Sequence, residues 1–121
     1  MLYFSRPRAL IPLGLLCLSA FGALADDSLP ITVTNNDADS VFVSLYDMNT
    51  RPRSTLLSHE KISGFASIPI RVSADASGYG HVYWTAVAAD SMRHKCSRKD
   101  RPGLNSDASV HVYARSDCPG R

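Results

Sequence analysis

From Pro30 onward the chain sustains no apolar stripe at helical spacing; its apolar residues recur two apart, in short runs broken by turn residues. Period-two alternation places successive side chains on opposite faces of an extended strand, so the pattern commits the chain to sheets. Ile31 and Val33 share one face of the run Pro30–Thr34. Val41, Val43 and Leu45 share one face of Val41–Tyr46, whose other face carries Phe42, Ser44 and Tyr46. Gly80–Ala88 is the clearest strand, with Val82, Trp84 and Ala86 inward. Ala108–Arg115 is the last, with Val112 inward. Phe65–Ser73 also reads as extended, but Pro69 has no amide donor, which assigns it to an edge or a bulge. Residues 54–64 are ambiguous, with a short strand at Ser54–Leu57. Asn35–Asp39, Asp47–Arg53 and Asp75–Gly80 are turns by composition. Residues 89–107 read as a long loop.

Many short strands with one apolar face each need a second layer to cover that face. The predicted fold class is all-β: a small antiparallel β-sandwich, Ig-like or a partly open barrel. The Cys–Trp–Cys order of a true immunoglobulin domain is absent, because both Cys96 and Cys118 follow Trp84.

The first 25 residues form a different unit. Met1–Arg8 carries Arg6 and Arg8 and no acid, Ala9–Leu24 is apolar, and Ala23-Leu24-Ala25 has small residues where a signal peptidase reads. This is the layout of a secretory signal peptide cleaved before Asp26. The apolar run is short for a membrane span and is interrupted by Pro12, Gly14, Ser19 and Gly22. Leu15 and Leu16 ahead of Cys17 do not fit a lipoprotein signal. The expected product is one domain, residues 26–121, in the periplasm or outside the cell, with no transmembrane segment after processing.

Cleavage changes the charge. Arg6 and Arg8 leave the thirteen basic side chains, the eleven acidic ones remain, and the mature chain is neutral. A general polyanion binder needs a cationic surplus, so no nucleic acid is expected as a partner. Cleavage also leaves two cysteines. In an oxidising compartment Cys96 and Cys118 are expected to form one disulfide, closing a loop worth about 3 kcal/mol in the chain-entropy model.

Two surfaces stand out as candidate binding sites. Asp75-Ala76-Ser77 precedes His81-Val82-Tyr83, and Asp107-Ala108-Ser109 precedes His111-Val112-Tyr113. If the two strands pair, His81, Tyr83, His111 and Tyr113 form one aromatic face that Phe42 and Tyr46 extend, suited to a glycan or a protein partner. The second candidate is a basic loop, with Arg93, His94, Lys95, Arg98, Lys99 and Arg101 crowding nine positions around Cys96. It suits an acidic protein, an anionic glycan or lipid head groups.

Other chemistry is poorly served. His59-Glu60 opens like a zinc-protease motif, but Ser63 stands where the second His belongs. Asp37 and Asp39 fail the EF-hand spacing, with Phe42 at its glycine position, and read as turn caps. No nucleophile elbow, phosphate loop or dinucleotide fingerprint is present. The sequence therefore predicts an exported, non-enzymatic binding protein without metal or cofactor, recognising a protein in inhibitor, immunity or adaptor fashion. A glycan- or envelope-binding module is the first alternative and a small hydrolase the second.

Overall fold

The structure, a computed structural model, describes residues 28–119. The expected signal peptide, Cys17 and the expected cleavage point before Asp26 lie outside the described residues. Those residues form eight strands: β1 Ser28–Asn35, β2 Val41–Asp47, β3 Ser54–Ile62, β4 Ser67–Ser73, β5 Gly80–Ala88, β6 Lys95–Leu104, β7 Ser109–Val112 and β8 Ser116–Asp117. They build two sheets, ordered β4-β1-β7 and β3-β2-β5-β6-β8, in an all-β, sandwich-like fold. No helix of the described residues is long and apolar enough to cross a membrane.

Parity decides the core. Ile31 and Val33 of β1, Val41, Val43 and Leu45 of β2, Val82, Trp84 and Ala86 of β5 and Val110 and Val112 of β7 are all buried between the sheets. Each large side chain among them contributes about 1.5–3 kcal/mol relative to exposure. Trp84 packs edge-to-face on Tyr113, with ring centroids 5.1 Å apart. β4 is an edge strand, pairing β1 alone with Pro69 opposite Thr32, as the missing amide donor of proline requires.

Three features depart from the sequence reading. The smaller sheet is mixed, because β7 runs parallel to β1 while every other pairing is antiparallel. β7 enters its sheet by crossing over from β6 in the other sheet, so no hairpin fixes its direction. β3 extends to Ile62 rather than ending at Leu57. Two register shifts against β2 interrupt its alternation and hid it from a period-two reading. Most of the supposed loop at residues 89–107 is strand β6, paired with β5 from Val87↔Cys96 to Gly80↔Leu104 with one register shift between Val82 and Gly80. Its charge, Pro102 and Gly103 look like loop composition, but the outer part of a sheet tolerates such residues once a neighbour supplies the hydrogen bonds.

Both ends of the layers are tied by buried polar side chains. Asn35, fully buried, donates its amide to the carbonyls of Asp39 at 2.9 Å and Ile62 at 3.0 Å, and its Oδ1 accepts the N–H of Asp37. At the opposite end the buried Asp47 carboxylate accepts the N–H groups of Asn49 and Ser73. Cys96 and Cys118 form a disulfide with Cα atoms 4.9 Å apart, stapling the start of β6 to the segment after β8.

Candidate functional site: the outer face of the five-stranded sheet

The side chains left over by the core lie on the outer face of the larger sheet. β2 presents Phe42, Ser44 and Tyr46, and β5 presents His81, Tyr83, Thr85 and Val87. Register sets Phe42 beside Val87, Ser44 beside Thr85 and Tyr46 beside Tyr83. β6 adds Arg98 beside Thr85 and Asp100 beside Tyr83. Most of these side chains are half-buried, as one exposed face of a sheet should be.

Aromatic contacts organise this face. The Tyr46 and Tyr83 rings lie 6.3 Å apart at 30°, and the Arg53 guanidinium covers Tyr46 at 4.3 Å. The β3 bulge turns His59 to φ 50°, a left-handed value, and stacks its ring on Phe42 at 4.4 Å and 11°. Its N–H donates to Ser44 Oγ at 3.1 Å. His81 Nε2 lies 2.6 Å from Asp100 Oδ1, which orients the imidazole. At the β8 end of the sheet an open depression of about 500 Å³ is lined in part by Thr85, Val87, Arg98, Ser116 and Pro119. None of the four histidines lines it. Among the described residues no three His, Cys, Asp or Glu side chains gather as a metal would require.

The predicted four-ring cluster does not form. His81 and Tyr83 are on β5 of the larger sheet, whereas His111 is on β7 of the smaller one, exposed and opposite Thr34. Tyr113 follows β7 and is half-buried, with Trp84 against it and the Arg115 guanidinium 4.8 Å from its centroid, and it lines the depression at the β8 end rather than joining His81 and Tyr83. The sequence echo fails because the chain crosses between the sheets after β6, so its two copies face different ways. Tyr83 does join Phe42 and Tyr46, whose outward parity was readable; His59 and Arg53 were not, since bulges and turns place them.

The basic cluster also divides. Arg93 is structural, donating to the Ala114 carbonyl at 2.7 Å and pairing with Asp39 at 3.4 Å. The His94 carbonyl accepts the Cys118 N–H. Lys95 meets Asp117 at 2.6 Å, and this hydrogen bond, reinforced by the ammonium charge, holds the Asp117 carboxyl below its ordinary range. Arg98, Lys99 and Arg101 make no ion pair among the described residues.

Fold and face together define a small two-sheet β protein whose larger sheet offers a half-exposed aromatic and cationic surface. The chain matches no protein-family model, no curated protein and no solved structure.

Proposed function

We propose that this chain is an exported binding protein that recognises a protein partner through the outer face of its five-stranded sheet. The observation that carries the reading is how the rings there are used. Phe42 and His59 cover one another face to face, and Arg53 and Tyr83 flank Tyr46. A sugar ring stacks on an open aromatic face, and here His59 covers a face of Phe42 and the Arg53 guanidinium a face of Tyr46. What remains is a rigid relief of ring edges, hydroxyls and charged tips, the mixture that protein interfaces favour. Export is supported by the N-terminal pattern and by the Cys96–Cys118 disulfide, a bond that persists in oxidising compartments. Inhibitor, immunity and adaptor roles all fit such a domain.

Affinity capture on the native envelope fraction, run in parallel with the Tyr46→Ala/Tyr83→Ala double variant and a glycan array, tests the proposal. The expected result is a protein retained by the wild type and lost by a folded double variant. Specific glycan binding without a variant-sensitive protein would overturn it.

A further inference from the structure

β6 is paired over nearly its whole length on one side and hardly at all on the other. Against β5 its register runs from Cys96 to Leu104, whereas β8 covers only Lys95 and Cys96. Ser97 is occupied next, its Oγ accepting the Arg115 N–H at 3.1 Å. From Arg98 onward no strand of the described residues lies on the outer edge. The usable edge closes at Pro102, which has no N–H, and Gly103, at φ 68°. Arg98 to Arg101 remains, as long a register as the four residue pairs joining β1 to β7.

The charge on this stretch is one-sided. Arg98 and Lys99 are exposed and Arg101 half-buried, and none pairs with an acid among the described residues. The single acid in the stretch, Asp100, is held by His81 at 2.6 Å. Alternation puts Arg98 on the outer face and Lys99 and Arg101 on the face toward the other sheet, so cations flank both sides of the unpaired backbone. An edge with three cations to one acid repels its own copy by its surplus of positive charge. It attracts an extended segment carrying Asp or Glu.

We propose that the β6 edge from Arg98 to Arg101 accepts an acidic, extended segment of a partner protein as an added strand. Backbone hydrogen bonds supply the register, and the three cations select for acid. The inference rests on the protein-partner reading and names the chemistry of the partner.

The test uses a blocked synthetic peptide alternating Glu with Val, a version with Pro at its centre, and a Lys-for-Glu version. Each is titrated into the isotope-labelled, disulfide-bonded protein and followed by amide NMR. The Glu peptide should saturate, shift amides chiefly within Arg98–Arg101 and the facing β5 residues, and weaken as salt rises. The Pro version should lose most of that binding, because a broken strand cannot pair, and the Lys version should not bind. Arg98→Glu/Lys99→Glu should weaken the Glu peptide by about tenfold or more; Arg98→Gln serves if that variant does not fold. Equal binding of the Pro peptide would reduce the site to non-specific charge. Shifts elsewhere, no saturation, or self-association of the protein at this edge would overturn the proposal. Such a failure is separable from that of the sheet-face reading, which the Tyr46/Tyr83 capture experiment tests without any peptide.

Discussion

The carboxylate of Asp37 accepts the backbone N–H of Ala114 at 2.8 Å, joining residues 77 positions apart. The Arg115 guanidinium donates to the other carboxylate oxygen at 3.2 Å. The turn after β1 is thereby fastened to the crossing from β7 to β8, where Ala114 is fully buried. The sequence read Asp37 as a turn cap; its carboxylate instead reaches this distant crossing, and the turn is capped by Asn35, whose Oδ1 accepts the Asp37 N–H.

Asp37→Ala removes that acceptor and leaves the buried Ala114 N–H unpaired. The expected loss is about 1–3 kcal/mol, measured by urea unfolding. Asp39→Ala, which removes only a long, exposed ion pair to Arg93, should cost less than about 0.5 kcal/mol. Equal effects of the two substitutions would contradict the structural role assigned to Asp37.

Phe65 stands at φ 59° and is 68 % exposed. Its neighbour Gly64 cannot change places with it, since a Cβ at position 64 would fall 1.9 Å from the Ala38 carbonyl oxygen. The turn closed by the Ala66 N–H on the Ser63 carbonyl therefore puts glycine where space is missing and phenylalanine where the backbone is left-handed. Phe65→Asn should raise stability by roughly 0.5–1 kcal/mol, because asparagine tolerates that conformation and little buried area is lost. Gly64→Ala should lower it by several times as much. Thermal unfolding of both variants is the measurement; a Phe65→Asn variant less stable than wild type would show that the ring is needed for packing.

The Lys95–Asp117 pair predicts a pH dependence of known sign. The folded Asp117 carboxyl sits below its ordinary value because Lys95 donates a hydrogen bond to it and lends it positive charge. A depressed carboxylate contributes stability that is complete above its unfolded pKa and fades as pH falls through the folded one. Both partners are solvent-exposed, so the effect on global stability is small. Its local signature is in the protection of one amide: as pH falls, the Cys118 N–H, which bonds the His94 carbonyl beside the pair, should lose protection relative to its intrinsic exchange rate at the same pH. Asp117→Asn should abolish that acid dependence.

The sequence alone determined which face of β1, β2, β5 and β7 is buried. Val43, Val82, Trp84 and Val112 alternate with polar neighbours, and alternation on an extended chain fixes the buried face before any partner is known; all four are fully buried. Pro69 announced an edge for the equally local reason that it cannot donate a hydrogen bond. Two cysteines left after the N-terminal segment allowed one pairing. Tertiary structure decided everything that depends on which strand lies beside which. His81 and His111 have the same local sequence and end in different sheets, because the chain crosses over between them. The basic stretch became a strand because β5 offers it a register. His59 reached Phe42 because β3 bulges. Periodicity reports a residue's face, since that follows from backbone geometry; neighbours, crossovers and bulges follow from how the sheets close over a shared core, and no local pattern encodes that.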